Sequence, residues 1–482
     1  MNLLAQAAAA PAPPVAPLLA LLVFGVALLL VLILKFKLQA FLALLVASIA
    51  VAVGSTFLGD KIALTEVANT VIAGMGSSLG FIATIIGVGA IFGAVLEHSG
   101  GAQSLAHNLL RMFGEKKAPW AMLLTGFLVS IPVFLDVALV ILAPILYSLA
   151  RDTKKSLLYF GLPLVAGLAV THAFVPPTPG PVFVAYILNV NLGYVIAFGV
   201  LVGLPTAIIC GPFLCAKLAT RLDVPLPEHE RDAKAPTVGP LPSFGLILGL
   251  IALPIALILM GTLIEQGILA SLPEALTTDE RKVALALQLR EAALPTQIAH
   301  FLGHPLIALL LTTLVTLVVL GLRRGTSREK LLEISTKSLG PAGIIILITG
   351  AGGVFKEVLG ATGIDQALKT AFSDSAIPPI ALAWIFATLV RIAQGSATVA
   401  MLTAAGLMAS IVDGLSQPQL ALVTVAIAAG ATGFSHLNDS GFWIISRYFG
   451  MSEKQTLQSW TLVSIAISVV GFSLALLISL FV

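Results

Sequence analysis

Charge is scarce in this chain. Of its 482 residues only 10% are Asp, Glu, Lys or Arg, while 58% are hydrophobic; a soluble domain carries about 25% charge. Lipid is therefore the main solvent of the folded chain. The net charge of +3 at pH 7 is small and arises in short basic loops, which argues against nucleic acid as a partner. Cysteine is scarce too: Cys210 and Cys215 lie in one apolar run, where they read as reduced packing residues rather than a disulfide or a metal pair. No HExxH, GxSxG or GxxxxGK[ST] occurs, so neither metal hydrolysis, a serine nucleophile nor ATP hydrolysis is indicated. No enzyme activity, cofactor or metal is expected. The start, MNLLAQAAAAPAPPVAP, lacks the basic region of a secretory signal, and residues 1–16 are expected to be a flexible lead.

What the chain does have, it has twice. Gly87–Leu105 (GVGAIFGAVLEHSGGAQSL) and Gly350–Leu368 (GAGGVFKEVLGATGIDQAL) share eight of 19 positions at an offset of 263 residues. The echo continues, Leu128–Ile131 answering Leu389–Ile392 and Thr171-His172 answering Ser435-His436. A duplicated apolar chain of this length implies a transporter built from two structural repeats around a central site. The glycines of the echo (Gly87, Gly89, Gly93; Gly350, Gly352, Gly353) imply close helix packing, since no strand precedes them to make a dinucleotide loop.

Apolar runs long enough to cross a bilayer fall at 17–34, 38–57, 71–97, 157–188, 195–218, 243–267, 303–322, 337–358, 419–445 and 460–482. Two more, 120–150 and 380–412, are too long for one upright helix and are interrupted midway; each reads as a tilted span, two tight spans or a re-entrant hairpin. Basic clusters at Lys35/Lys37, Arg111/Lys116/Lys117, Arg151/Lys154/Lys155, Lys217/Arg221/Arg231/Lys234, Arg323/Arg324/Arg328/Lys330 and Arg447/Lys454 mark the cytoplasmic loops. They flank 120–150, whereas Asp374 and Asp413 flank 380–412, so the two segments enter from opposite sides. Each half then holds five spans and a hairpin, and an odd number of crossings makes the repeats inverted. The expected organisation is a first transmembrane repeat at 17–221, a cytoplasmic linker at 222–242 and a second repeat at 243–482. Both ends would lie outside. Segment 98–119 reads as an interfacial helix, and ALQLREAAL within 268–302 as a short surface helix.

Polar residues inside spans are costly, so they carry the functional reading. Asp136 is the one charged residue between Lys117 and Arg151, and an Asp at mid-bilayer costs roughly 2.5–3.5 kcal/mol on insertion scales. It is a candidate proton carrier and can also cap the second arm of the hairpin. Thr171-His172 precedes VPPTPGP, with Pro176, Pro177, Pro179 and Pro181, a run no regular helix survives. Unwound backbone at membrane depth needs protein or a wet cavity around it, making His172 and Thr178 candidate solute contacts. His172 alternatively bonds a freed carbonyl. LVRIAQGSATVAML places Arg391, Gly395, Ser396 and Thr398 at the tip of the second hairpin. Gly395 allows the turn, and a helix opening at Ser396 or Thr398 would present free N–H groups to a carboxylate. Arg391 would add a bidentate partner or snorkel to the outer surface. Last, GFSHLNDSGFW gathers His436, Asn438, Asp439 and Ser440; Asp439 and His436 are further candidate proton carriers. Glu97, His98, Lys356 and Glu357 weigh less, lying near helix ends. Trp443 reads as packing rather than a sugar platform.

In these residues the chain resembles the gluconate permease family of the ion transporter superfamily, the gluconate:proton symporters. GGAQ, PVFLDVALVIL, THAFVPPTPGP, GAGGVFKEVL, RIAQGSATVA and FSHLNDSGFW carry the resemblance, in order, from about residue 18 to the end. It implies a multi-pass carrier of the bacterial inner membrane that imports a small organic anion, gluconate or a related sugar acid, with protons, and it suggests a homodimer. Ala138 stands where many relatives are expected to have glycine, and Asp136 where gluconate carriers can show Glu; both bear on the exact solute. A sodium-coupled carboxylate carrier is the nearest alternative, held by carbonyls freed at VPPTPGP and the Asn438/Asp439 oxygens. A channel would need a continuous polar pore, whereas the polar residues here cluster at two breaks.

Overall fold

The computed structural model describes residues 15–58, 62–222, 224–225, 240–273, 277–373 and 377–482. Most of the 1–16 lead, most of the 222–242 linker, and Arg231, Lys234 and Asp374 lie outside the described residues. Among those described there are helices and no strands. Eight are long and apolar enough to cross a membrane, and backbone buried in hydrocarbon leaves the helix as the way to satisfy its hydrogen bonds locally.

The chain enters with α1 (Val15–Leu34), α2 (Ala40–Thr56) and α3 (Val67–His98). After α4 (Gly101–Phe113) come α5 (Ala118–Val129) and α6 (Leu135–Thr153). The interrupted pair α7 (Leu158–Phe174) and α8 (Pro179–Ile187) follows, then α9 (Leu192–Ile208), a π-helical turn and α10 (Ala216–Arg221). The second half runs α11 (Phe244–Ser271), α12 (Thr278–Glu291), α13 (Leu294–Gly303), α14 (Pro305–Thr316) and α15 (Arg328–Thr362). It continues with α16 (Ile364–Ser373), α17 (Pro379–Gln394), α18 (Ala397–Met408), α19 (Gln417–Thr432) and α20 (Ser440–Phe449), closing with α21 (Glu453–Thr456) and α22 (Leu462–Ser479).

Burial separates inner from outer helices. A helix apolar on every side must be enclosed or lipid-facing, and both kinds occur. The α7–α8 segment is 89% buried over its most apolar stretch, α1 only 22%. α19 is buried continuously from Leu420 to Thr432. These two helices form the centre, α5 packing against α7 and α17 against α19. Helices α5 and α18, with 12 residues each, reach about 18 Å, short of the ~30 Å hydrocarbon core. Each segment left open by sequence is therefore two helices separated by a non-helical break, α5–α6 and α17–α18, and in the second the two arms pack against each other. The long helices α3 and α15 (32 and 35 residues) are longer than the hydrocarbon core requires. They cross where small residues allow it: a Cβ on Gly74 would lie 2.8 Å from the Val354 Cα.

Hydrogen bonds tie the loops into two opposite ends. At the basic end, Ser104 Oγ donates to the Pro242 carbonyl at 2.6 Å, Leu157 N–H to Val224 O at 3.3 Å, and Arg324 to Pro240 O. At the other end, Asn191 N–H donates to Gln417 Oε1 at 2.7 Å and the Asn191 amide to Glu265 Oε2 at 2.5 Å. The basic end is the one that the positive-inside rule expects to be cytoplasmic. Two further elements are amphipathic or exposed: α4 buries Ala102, Leu105, Ala106 and Leu109 along one face while His107 and Arg111 are exposed, and α12 carries ALQLRE. The apolar run 419–445 differs from a single span, because Gly433–Asp439 leaves the helix.

Candidate functional site

Four helices begin at the middle of the molecule, each for a reason visible in its sequence. Prolines end α7, and Thr178 starts α8 at Pro179. Pro132 stops the α5–α6 connection from being helical, and α6 opens with Asp136 in its first turn. Gly395, at φ +83°, turns the second hairpin; a Cβ there would meet the Asn438 carbonyl oxygen at 2.4 Å, so only glycine fits. Ser396 then caps α18, its Oγ accepting from Val399 N–H at 3.4 Å. Asp439 caps α20, Oδ1 accepting from Gly441 N–H at 2.9 Å.

Three of these starts, those of α6, α18 and α20, line one cavity of about 820 Å³, which α8 reaches at Gly180, within the range of small-molecule sites. Of the residues singled out by sequence, Asp136, His172, Arg391, Gly395, Ser396, Thr398, Asn438, Asp439 and Ser440 lie on its wall. Thr178 and His436 do not. Thr178 Oγ1 donates to Val175 O at 2.8 Å beside a separate void of about 20 Å³. His436 Nε2 lies 3.1 Å from Ile392 O. Each ring or hydroxyl serves a carbonyl freed by a helix end.

Arg391 neither snorkels nor stands free for a ligand. It is 3% exposed and its guanidinium is committed: Nη2 to Asp439 Oδ2 at 2.5 Å, Nε to Gly433 O at 3.1 Å, and Nη1 to Gly395 O. Asp439 Oδ2 also accepts from Ser435 Oγ, which in turn receives Trp460 Nε1–H at 2.7 Å. Removing a buried charge's partner is costly, so this cluster pins the hairpin tip to the α19–α20 break. Asn438 joins it, its amide donating to Ile392 O at 3.1 Å. Trp443 donates to Leu437 O at 2.9 Å, a packing role.

Asp136 and His172 are placed differently. Asp136 has no hydrogen-bond partner among the described residues and is exposed to the cavity. His172 stacks edge-on to Phe134, ring centroids 6.0 Å apart, with Nδ1 buried and unpartnered. Thr171 Oγ1 beside it is likewise buried without a partner. Sequence gave little weight to Glu97 and none to Lys337 or Trp460, yet all three reach the wall. The spacing Ala90, Gly93, Ala94, Glu97, all lining, was the available signal for Glu97. Chemically, the site offers unpaired helix N–H groups, hydroxyls, an imidazole and a carboxylate, suited to holding a hydroxylated anion and a proton.

The family model that matches residues 17–481 is the GntP family permease. The chain belongs to this family. It is 35% identical to the high-affinity gluconate transporter of Escherichia coli K12, over 96% of this chain and 99% of that one. It is 36% identical to the gluconate permease of Pseudomonas aeruginosa, over 94% and 95%. Against the Gnt-II system L-idonate transporter of E. coli K12 identity is 34%, over 93% and 95%. Among solved structures, Neisseria gonorrhoeae MtrF superposes with a TM-score of 0.58 at 13% identity, covering 90% of this chain and 93% of that one. The Alcanivorax borkumensis YdaH transporter gives 0.57 at 14%, covering 86% and 88%; both likenesses concern fold alone. This GntP permease is thus a transporter and not an enzyme, a multi-pass protein of the bacterial inner membrane.

Proposed function

We propose that this permease imports gluconate or a related sugar acid with protons, by alternating access between two inverted halves, 17–221 and 243–482. One observation carries the reading: three helix N-termini, those of α6, α18 and α20, converge on a single cavity that α8 joins at Gly180. Each adds positive potential and unpaired N–H groups where a carboxylate would sit. The carboxylate docks at Ser396–Thr398, and the sugar hydroxyls meet Asn438, Ser440 and His172. Relatives named for gluconate and L-idonate support a polyhydroxylated acid as solute.

Asp136 carries the proton in this scheme. Asp439, the other candidate, has both oxygens engaged by Arg391, Ser435 and Gly441, which supports a fixed role. The cavity extends to Glu97, His98, Lys337 and Ser338 at the basic end, the geometry of an inward-open state. Rocking of a hairpin-bearing unit would close that mouth and open the opposite one. Uptake of labelled gluconate into proteoliposomes tests the reading, under an imposed pH gradient with and without Na⁺, with hydroxy acids as competitors. Accumulation that needs the pH gradient and not Na⁺ is expected; accumulation that needs Na⁺ instead would overturn the coupling.

A further inference from the structure

One carboxylate on the cavity wall has no assigned work. Glu97 stands on the last turn of α3, a 32-residue helix, where the dipole's negative end makes an acid unfavourable. It has no ion-pair or hydrogen-bond partner among the described residues, and it shares the cavity with Asp136.

The fold brings the two acids together through a close contact. A Cβ on Gly93 would come 2.1 Å from the Pro132 carbonyl oxygen, so α3 rests directly on the connection that leads into α6. Glu97 follows Gly93 by four residues and stays on the same helix face. Asp136 follows Pro132 by four. Both side chains run from that contact into the same space.

The other charges on the wall are accounted for element by element. From α17 and α20, Arg391 is paired with Asp439. From α15, Lys337 is paired with Glu333 at 2.7 Å. From α7 comes His172, buried beside Asp136, and from α3 itself His98, exposed at the basic end. Among the described residues no cation is committed to the two acids. Two carboxylates in one site repel, and holding one proton between them removes the repulsion.

We propose that Glu97 is the proton-exit residue of this permease, accepting the proton that Asp136 releases and passing it to the cytoplasm. The proposal rests on the proton-coupled reading above. The Asp136 O–H bond breaks as a Glu97 O–H bond forms, directly or through one water. Glu97 then gives the proton to cytoplasmic water as hydronium, leaving both acids ionised for return. Proton and solute leave by one mouth, and the acid nearer that mouth goes last.

The test compares wild type, Glu97→Gln and Glu97→Asp in proteoliposomes, reading pH-driven accumulation of labelled gluconate, gluconate exchange at symmetric pH, and melting temperature. Glu97→Gln should lower accumulation on the order of tenfold or more, as loss of a proton-transfer group does, while exchange stays within about twofold of wild type. Glu97→Asp should recover accumulation with its pH midpoint displaced. Full accumulation by Glu97→Gln would overturn the proposal. Loss of exchange in a folded Glu97→Gln protein would too, since it would tie Glu97 to solute movement. Should Glu97→Gln fail to fold, Glu97→Asp decides: an unmoved pH midpoint overturns the assignment. Failure of the coupled reading itself is distinguishable, because wild type would then ignore the pH gradient.

Discussion

The two central helices break at corresponding places, α7 at Val175–Thr178 and α19 at Gly433–Asp439, and are held open differently. In the first, prolines at 176, 177, 179 and 181 do the work, because proline lacks the N–H a helix needs. Thr171 Oγ1 and His172 Nδ1 are left buried without partners. In the second, side chains do it. Arg391, Asp439, Ser435 and Trp460 form one connected set, and His436 and Asn438 both reach Ile392 O. Fixing one break covalently leaves polar side chains uncommitted near the site; fixing the other by hydrogen bonds consumes them. Residues that look costly in sequence thus divide into those that hold shape and those free for function.

The sharpest way to break this comparison is to remove one partner of the second network. Arg391→Ala leaves Asp439 buried and uncompensated, at a cost of about 3–5 kcal/mol. Thermal melting of the purified protein should show a large loss of stability and transport together. A near-normal melting curve would mean that the break is held by something else.

Asp136→Asn should do the opposite, leaving melting nearly unchanged because no partner is lost. Accumulation under a pH gradient should fall by roughly tenfold or more while exchange persists. Normal accumulation would return the coupling role to Asp439 or another acid. Thr171→Val tests the uncommitted side of the first break. A buried hydroxyl without a partner is a cost, so the variant should be more stable by about 1 kcal/mol; a comparable loss would show that the hydroxyl has a partner.

The smallest effect concerns His304, at the outer end between α13 and α14. Burial holds its imidazole below the ordinary histidine value, helped by the neighbouring His300 and opposed by Glu265. The folded protein binds that proton less readily than the unfolded chain. Its contribution to stability is therefore present above about pH 6.5 and lost as pH falls below it. His304→Gln should flatten the loss of melting temperature between about pH 8 and about pH 5.5, and an unchanged slope would remove His304 as its source.

Much of the architecture was legible because lipid makes composition speak. Eight of the ten apolar runs coincide with helices long and apolar enough to span, basic clusters marked one end, and VPPTPGP and Gly395 marked two of the turns. Asp136 stood out as a lone charge, and it does face the cavity. Side-chain direction was not legible. Thr178 and His436 sit beside breaks yet turn to the carbonyls the breaks create, and Arg391 turns inward to Asp439. Glu97 was undervalued because a helix end looks the same in sequence whether it meets solvent or a cavity. Gly93, which seats it against Pro132, reveals its purpose only when the contact is seen.

The account stands or falls on whether solute occupies the cavity at the helix starts. The native cysteines are both buried, so Thr398→Cys on the wall and His107→Cys on the exposed face of α4 give two clean reporters for a charged thiol reagent. Gluconate at ten times its dissociation constant should slow labelling of Thr398→Cys by about tenfold and leave His107→Cys unaffected. Equal labelling of Thr398→Cys with and without saturating gluconate, in protein that still transports it, would contradict the site.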